Sequence, residues 1–370
     1  MRLTRLWLMS VLTVPLLCST ACAQEVLAEL GEPKVLLGHN QFGLKYFPDM
    51  PVCTISQKPL TFLMAVTTST YLVAGPDLNS LHPVAEVLRP GRPGTFDGNY
   101  VGIGGIVVEA NRSDLIALYH AEDHSGMPEL GYNKVPGFYA SVGLATSKDG
   151  GRSFEKLGPV LTSNQPKNPN GGYPAQGLGD PTVCRSKDGQ YLLAYYSEHS
   201  RVNGRGVQIG LARSPVSAGA RPKTWQKYFE GSFDQPGLGG KETPVISMQK
   251  FHADAHCPSV VYVEPFKKYV MVFCCLAYAD FEAKKADRSG IYIASSGDGI
   301  VWNEPILIYS VLTVPIPGVE MAMHPSLLLT DQDQGTVNGW LLYGYSPRWG
   351  HTEREPSHHL VGRPIRLERR

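Results

Sequence analysis

Apolar residues in this chain come in short runs separated by turns rich in Asp, Gly and Ser. The clearest example joins the run 179–183 to the run 191–196 across the turn 186–189. A β-branched or aromatic run, a tight polar turn and a second such run predict an antiparallel β-hairpin. Long stretches with the 3.6-residue period of an amphipathic helix are not visible. We therefore expect an all-β protein.

The hairpin pattern occurs five times along the chain. Besides the example above, two clear copies start at His256 and His324, and two fainter copies start at Asp49 and Gly104. Further apolar runs follow the hairpins, as expected for a third and a fourth strand, at residues 70–75, 140–145, 156–161, 207–212, 227–229, 291–295 and 305–309. Several short strands repeated at a spacing of roughly 50 to 80 residues are typical of a β-propeller. We predict a five-bladed propeller of four-stranded antiparallel blades, formed as a single domain by residues 24–370.

The first residues have the pattern of an export signal. Arg2 and Arg5 precede the apolar run 6–18, and the small residues 21–23 precede Gln24. This predicts a secretory signal peptide over residues 1–23, which is too short to span a membrane as a stable helix. Lipid attachment at Cys22 is an alternative. Either reading places the protein outside the cytoplasm, in the periplasm or the extracellular space.

Charge and cysteine content narrow the possible partners. The formal net charge is +1 and no run of Lys or Arg occurs, so nothing in the sequence indicates binding to nucleic acid or to an anionic membrane surface. Five cysteines follow residue 23. We expect buried free thiols, since Cys is among the most buried residue types. A cross-strand disulfide between Cys257 and Cys275 is the alternative.

Two turns carry a recognisable motif. Residues 147–154 and 296–302 resemble Asp boxes, the Ser-x-Asp-x-Gly-x-x-Trp turns of sialidase-type and related carbohydrate-active propellers. In such a turn the Ser and Asp side chains bond nearby backbone N–H groups, Gly adopts the left-handed conformation, and the aromatic residue fills the gap between blades. The motif therefore predicts a structural role.

The predicted topology sorts the ionisable residues. The first strand of a blade begins, and the second ends, at the same end of a propeller, where the longest loops of this chain also fall. Long loops on one rim of a rigid scaffold commonly carry function. This end should collect Asp49, Tyr100, His120, Glu122, Asp123, Asp180, Tyr196, Glu198, Asp254, His256, His324 and, in the last long loop, Arg348. Carboxylates in a tyrosine-lined funnel suit the hydrolysis of a glycosidic bond.

The Asp-Pro pair at Asp180, followed by an acidic turn and Tyr-x-x-x-Tyr, resembles the five-bladed propeller glycoside hydrolases of the arabinanase, β-xylosidase and fructosidase type, family 43. The resemblance implies that Asp49 is the base, that Asp180 positions the substrate and tunes pKa values, and that a Glu is the acid. The next inner strand opens with His256 rather than Glu, so Glu122 and Glu198 are the candidate acids. The predicted catalytic set is Asp49, Glu122, Asp180 and Glu198. The predicted substrate-binding set is Tyr100, His120, Asp123, Tyr196, His256, His324 and Arg348.

Metal binding is a minor alternative. The alternation in residues 252–256 would place His252, Asp254 and His256 on one face of a strand. The resemblance also implies a possible structural Ca²⁺ near the funnel histidines, His256 and His324. We expect hydrogen-bonded histidines, no metal ligand and no cofactor.

Two other functions compete with the glycosidase. A sialidase-like exo-glycosidase fits the Asp boxes, but its arginine triad needs an Arg from the first blade, and none occurs between Arg5 and Arg89. A non-catalytic carbohydrate-binding propeller would use the same rim acids for hydrogen bonds. A carboxylate pair facing across the funnel at about 5 to 10 Å would favour the enzyme.

Overall fold

The computed structural model describes residues 25–109, 113–130, 135–171, 175–201, 206–333, 335–348 and 358–369. The predicted signal peptide and Cys22 lie outside these residues. Among the described residues, no helix combines the length and hydrophobicity needed to cross a lipid bilayer.

Strands make up most of the described chain and fall into five consecutive antiparallel groups, which we call blades 1 to 5. The chain starts with β1 (Val26–Leu30) and β2 (Lys34–Leu37). Blade 1 contains β3 (Cys53–Gln57), β4 (Leu60–Val66), β5 (Ser69–Gly75) and β6 (His82–Leu88). Blade 2 contains β7 (Tyr100–Val108), β8 (Leu115–Asp123), the short ribbon β9 (Glu129–Leu130) and β10 (Val135–Pro136), β11 (Phe138–Ser147) and β12 (Glu155–Leu161).

The remaining blades repeat this arrangement. Blade 3 contains β13 (Ala175–Arg185), β14 (Tyr191–Glu198), β15 (Gln208–Pro215), β16 (Gln226–Phe229) and an added edge strand, β17 (Ser232–Pro236). Blade 4 contains β18 (Ala253–Val263), β19 (Lys268–Ala277), the helix α1 (Tyr278–Ala283), β20 (Gly290–Ser296) and β21 (Ile306–Ser310). Blade 5 contains β22 (Met321–Gln332), β23 (Thr336–Ser346) and β24 (His359–Arg369). Single 3-10 turns lie at Gln41–Gly43, Val216–Ala218, Gln249–Phe251 and Glu264–Phe266.

The first and last strands join the two ends of the chain. Strand β1 pairs antiparallel with β24, from Val26 opposite Arg369 to Leu30 opposite Ile365. The N-terminal strand thus supplies the outer, fourth strand of blade 5. Blades 2 and 3 are also linked directly, since β11 and β13 pair in parallel where Phe138 faces Ala175.

Apolar side chains fill the spaces between neighbouring blades. Each successive pair of blades shares a buried cluster, and the cluster containing Phe62 and Leu342 joins blade 1 to blade 5. Because each blade is covered on both faces, its inner strands are apolar on both sides, which explains the near-continuous hydrophobic runs of the sequence. The described blades therefore close into a ring, and the prediction of an all-β propeller is confirmed.

The two Asp-box turns have the predicted structural role. The Asp149 carboxylate accepts bonds from the N–H groups of Arg152 and Ser153, both at 3.0 Å. In the second turn Asp298 accepts the N–H of Val301 at 2.9 Å. The following aromatic, Trp302, contacts the Tyr195 ring edge-on, with ring centroids 5.7 Å apart. These turns brace neighbouring blades.

The cysteines of the described chain are free. Cys53, Cys257, Cys274 and Cys275 are buried, and Cys184 is partly buried. The prediction of free, buried thiols is thus confirmed, and the alternative disulfide between Cys257 and Cys275 is wrong. Strand register explains this, since Cys275 lies opposite Ala255, while Cys257 lies in an irregular step of β18.

Candidate functional site

A cavity of about 1000 Å³ lies where the inner strands of the blades converge. Its walls include residues from every blade, so it lies on the axis of the ring. The polar side chains that line it are Asp49, Tyr100, His120, Glu122, Asp180, His199, Arg201, Asp254, His256, Cys257, Tyr278, Glu282 and His324. The predicted gathering of acids and histidines in one central cavity is therefore observed.

Three of these residues occupy the same position in three blades. Asp180, Cys257 and His324 each precede a proline and lie where the innermost strand steps out of register with its neighbour. Their φ angles are 47°, 52° and 55°, in the left-handed region that non-glycine residues rarely adopt. The step turns each side chain from the blade interior toward the axis. The repeated bulge is thus the local feature that builds the cavity floor.

His120 lies between two carboxylates. Its Nδ1 is 3.2 Å from Asp180 Oδ1 and its Nε2 is 3.3 Å from Glu122 Oε1. The backbone N–H of Asp180 also reaches Nδ1, at 3.0 Å, and favours the neutral ring. Burial also favours the neutral ring, but hydrogen bonds and charge attraction from the two carboxylates outweigh the effect of burial and raise the pKa of His120 to about 10. The ring is therefore an imidazolium at neutral pH.

The two carboxylates beside His120 are ionised. Burial alone would raise the pKa of Asp180, but His120 and His199 hold this pKa well below its ordinary value. For Glu122, burial is likewise outweighed by hydrogen bonds from His120 and His124, so the Glu122 pKa is lowered. Because a single imidazole makes both contacts, the Asp180 and Glu122 carboxylates lie on opposite sides of the His120 ring.

Asp49 has the opposite electrostatic environment. It precedes the first strand of blade 1, and its backbone carbonyl accepts a hydrogen bond from the Tyr100 hydroxyl at 2.9 Å. Burial, reinforced by the negative charge of Glu122, raises the pKa of the Asp49 carboxyl to about 8. Asp49 is therefore protonated at neutral pH while Glu122 is charged. The cavity thus holds a proton donor and an ionised carboxylate together.

Gly179 gives His120 its space. An added Cβ at Gly179 would overlap the imidazole of His120, so no larger residue fits beside Asp180. The close approach of backbone to ring places the Asp180 carboxylate against Nδ1. The φ of Gly179 is not in the left-handed region, so backbone conformation does not require a glycine here. The close contact with the His120 ring does.

A second polar group lies on the wall formed by blades 3 and 4. The Arg201 guanidinium binds the Asp254 carboxylate through two nitrogens, at 3.2 and 2.8 Å. The Tyr278 hydroxyl, at the start of α1, donates to the same carboxylate at 2.7 Å. These contacts neutralise Arg201 locally and tie the loop after β14 to α1.

Much of the remaining wall is apolar. Phe138, Leu276, Phe281, Val314 and Met323 line the cavity, and Phe281 in α1 is 40% exposed. Exposed aromatic surface beside carboxylates can receive the apolar face of a ring-shaped polar ligand.

Several predicted residues lie outside the cavity. Tyr196 and Glu198 face the space between blades, where the Tyr196 hydroxyl is 3.5 Å from Glu242. Burial and the charge of Glu242 raise the pKa of Glu198 to about 8. Strand alternation explains this placement, since β14 sends Ser197 and His199 toward the axis and the residues between them away from it. The structure therefore corrects the expected position of both residues.

Two further predicted residues lie at the surface. Asp123 turns away from the cavity and pairs with Lys167 at 2.8 Å. Arg348 is exposed at the end of its described segment and does not line the cavity. Both are expected at the funnel, but neither lines the cavity.

The metal face expected in residues 252–256 does not form. His252 is exposed in a left-handed turn before β18, whereas Asp254 pairs with Arg201. A structural Ca²⁺ near His256 and His324 also fits poorly. Calcium takes six to eight oxygen ligands, whereas these histidines lie beside a thiol and a single carboxylate.

The sequence analysis missed other residues of the cavity, among them Arg201, Cys257 and Phe281. Cys257 could have been found, because the Cys-Pro pair repeats the Asp-Pro and His-Pro pairs at Asp180 and His324. Arg201, Tyr278 and Phe281 lie in loops or a short helix, for which strand periodicity gives no signal.

Comparisons with known proteins identify the fold. No family model matches the chain, and no curated protein matches it. Solved structures of similar fold include an α-L-arabinofuranosidase from Lactobacillus brevis, with TM-score 0.55 and 11% identity over 86% of this chain and 90% of that chain.

Two other solved structures are similar to the same extent. A family 117 glycoside hydrolase from the marine bacterium Zobellia galactanivorans has TM-score 0.54 and 10% identity, covering 93% of this chain and 90% of that one. An N-acetylgalactosamine deacetylase from F. plautii has TM-score 0.53 and 13% identity, covering 91% and 95%. At these identities the comparisons establish a shared propeller fold.

Proposed function

We propose that this protein is a glycoside hydrolase that cleaves a carbohydrate in the central cavity, with Asp49 as general acid and Glu122 as the reacting carboxylate. The observation that carries this proposal is the placement of Asp49 and Glu122 in one cavity, in surroundings that raise the Asp49 pKa to about 8 and lower the Glu122 pKa. Two acids with pKa values pushed apart by their environments are the pattern of acid/base catalysis. The glycoside hydrolases among the structures of similar fold support the same reaction class.

Each group has a definite step in this reaction. Protonated Asp49 donates its proton to the glycosidic oxygen as the bond to the anomeric carbon breaks. Ionised Glu122 acts on the anomeric carbon, either directly or through a water molecule that it deprotonates. His120 is a positioning residue, because its imidazolium holds Glu122 and Asp180 ionised.

This assignment reverses the roles implied by the sequence resemblance, in which Asp49 is the base and a Glu is the acid. Burial of Asp49 next to the charged Glu122 is the physical reason. Asp180 keeps its implied role of positioning the substrate and tuning pKa values, because its carboxylate contacts both His120 and His199. Glu198 has no role in the reaction, since it lies outside the cavity.

Two observations weigh against the alternatives. In a sialidase-like enzyme, several arginines bind the substrate carboxylate, whereas Arg201 of this cavity is already paired with Asp254. In a binding module the rim acids would be tied up in salt bridges. The described residues offer no ion-pair partner for the Asp49 side chain, which is left able to donate its proton.

The apolar wall indicates how a carbohydrate would be held. Phe138 and Phe281 can stack on the apolar face of a sugar ring, while the charged floor contacts its hydroxyl groups. The predicted signal peptide leads us to propose that the protein acts outside the cytoplasm on an oligo- or polysaccharide.

A substrate panel tests the proposal. Wild-type protein is incubated with aryl glycosides and with plant and bacterial polysaccharides, beside Glu122→Gln and the matched control Glu198→Gln. Both glutamates lie near the ends of second strands, but Glu198 is buried away from the cavity, whereas Glu122 is partly buried and lines it. Glu122→Gln should lose about 100-fold or more in kcat/KM, and Glu198→Gln should keep the rate within a few fold. Acetate release from N-acetylated sugars without cleavage of any glycoside would contradict the proposal.

A further inference from the structure

The cavity floor brings together a carboxylate, a thiol and an imidazole. One ligand atom each from Asp180, Cys257 and His324 lies within 4.8 Å of the others. Asp180 Oδ2 is 3.7 Å from Cys257 Sγ. The exposed fractions of the three residues are 5%, 1% and 5%. Three blades supply them through the same left-handed bulge, and strained backbone of this kind persists at functional sites.

Hydrogen bonds fix the protonation of the His324 ring. Its Nδ1 lies 3.3 Å from the carbonyl oxygen of Pro48, which can only accept, so Nδ1 donates. Nε2 of the neutral ring therefore carries the lone pair. Histidines that bind metal ions usually donate their other ring N–H to a backbone carbonyl or carboxylate in this way.

The thiol of Cys257 faces two acceptors. The Thr313 hydroxyl donates to the Cys275 carbonyl at 3.1 Å, so it accepts from His256 Nε2, 3.3 Å away. The His256 Nδ1 that faces Cys257 Sγ at 3.2 Å is then unprotonated. One thiol proton cannot serve both this nitrogen and Asp180 Oδ2. A cation in place of the proton would satisfy the carboxylate and the sulfur together.

We propose that Asp180, Cys257 and His324 bind a zinc-class divalent metal ion whose open coordination position faces the cavity. The donor set decides the class of metal, because thiolate and imidazole suit zinc and related ions, while calcium requires many oxygens. Three protein ligands and one open position are the usual arrangement of a reactive zinc site.

Binding involves a balanced proton step. The Sγ–H bond of Cys257 breaks, the proton leaves to solvent, and a metal–sulfur bond forms without any change in oxidation state. Affinity should therefore increase with pH. The site deepens the proposed function, since Asp180 belongs to both, but it requires no substrate for its test.

The test measures metal content and spectra of the full protein. Purified protein is loaded with Zn²⁺ or Co²⁺, dialysed, and its metal-to-protein ratio measured by mass spectrometry. Wild type and the control Cys53→Ser should retain one equivalent, and Cys257→Ser and His324→Gln should bind at least 10-fold more weakly. Co²⁺ protein should show a thiolate-to-cobalt charge-transfer absorption that Cys257→Ser abolishes. Circular dichroism verifies that each variant folds. If one variant does not fold, the thiolate-to-cobalt absorption of the wild-type protein still shows whether a cysteine binds the metal.

Other results would overturn the inference. Cys257 also lies near His256 and Cys274 in a second cluster of three. Retention of metal by His324→Gln together with its loss in Cys274→Ser would place the ion there instead. Wild-type protein that retains neither metal would exclude a site. Metal bound without any glycoside hydrolysis would count against the proposed function alone, and hydrolysis by a protein that retains neither metal after loading would count against this inference alone.

Discussion

Nδ1 of His120 lies 3.2 Å from Oδ1 of Asp180, so a buried ion pair joins blade 2 to blade 3 on the axis of the ring. Glu122 contacts the other ring nitrogen, so the two carboxylates share His120, while His199 also contacts Asp180 and His124 also contacts Glu122. The ion pair therefore links the free energy of unfolding of the propeller to the charge state of its central cavity.

Replacement of His120 should destabilise the fold. His120→Gln removes the cation that Asp180 and Glu122 share and leaves only His199 and His124 beside them, and breaking a buried ion pair costs about 3 to 5 kcal/mol. Urea denaturation should show this loss in the free energy of unfolding. His124→Gln is the matched control, since His124 also contacts Glu122 but is more exposed, and its loss should stay below about 1 kcal/mol.

The sign of the pH dependence follows from the raised pKa of His120. Its contribution is fully present below the unfolded pKa near 6.5 and disappears as pH rises through the folded value of about 10. Wild-type stability should therefore fall over this window more steeply than that of His120→Gln. An imidazole signal of His120 that titrates below pH 7 in NMR spectra would contradict this account.

Asp49 should reduce stability at neutral pH. Its folded pKa of about 8 lies above the unfolded value near 3.8, so the folded state holds a proton that the unfolded state releases. Stability is then lost as pH rises from about 4 to 8. Asp49→Asn removes this cost and should raise the free energy of unfolding at pH 8 by roughly 2 to 5 kcal/mol. Equal stability of the two proteins from pH 4 to 8 would show that Asp49 is ionised in the folded state.

The pH–rate profile should have two limits. Activity requires ionised Glu122, whose pKa is lowered from 4.5, and protonated Asp49, whose pKa is about 8. The logarithm of kcat/KM should therefore be flat from about pH 5 to 7, fall on the alkaline side near pH 8, and fall on the acid side only below about pH 4.5. A profile that still rises above pH 9 would exclude a protonated Asp49 as the acid.

Gly179 should be intolerant of any side chain. Gly179→Ala puts a methyl group into the volume of the His120 ring and pushes it away from Asp180 and Glu122. We expect a loss of about 100-fold in kcat/KM, with the alkaline limit of the rate profile shifted. Gly297→Ala, at an exposed turn where an added Cβ meets no atom within 4 Å, controls for a general effect of glycine replacement. A similar loss of activity in Gly297→Ala would show that overlap with the His120 ring is not the cause.

Sequence periodicity was sufficient to predict the propeller fold and the end of the propeller at which the central cavity lies. Alternation between short apolar runs and Asp-Gly turns is fixed by local backbone preferences, so the blades and Asp boxes could be located. The positions of Asp49, Glu122 and Asp180 followed from strand direction alone. The resemblance could not give their protonation states, because these depend on burial and on contacts between blades.

The errors have equally specific causes. Glu198 was expected in the cavity, but the alternation of β14 sends His199 there instead, and a change of one residue reverses the face. The sequence pattern places His256 at the start of the inner strand and so does not single out Cys257. In the structure the left-handed bulge falls at the residue before proline, which is Cys257. Tertiary contacts, such as the pairing of Arg201 with Asp254, leave no pattern in the sequence.

Leaving-group dependence in Asp49→Asn tests the central claim most directly. Hydrolysis rates are compared for aryl glycosides whose phenol is acidic, and so departs without a proton, and for those whose phenol is weakly acidic. The account predicts that Asp49→Asn loses about 100-fold or more on weakly acidic phenols and stays near wild type on acidic ones. An equal loss on both kinds of substrate, or no loss on either, would contradict Asp49 as the acid of a glycoside hydrolase.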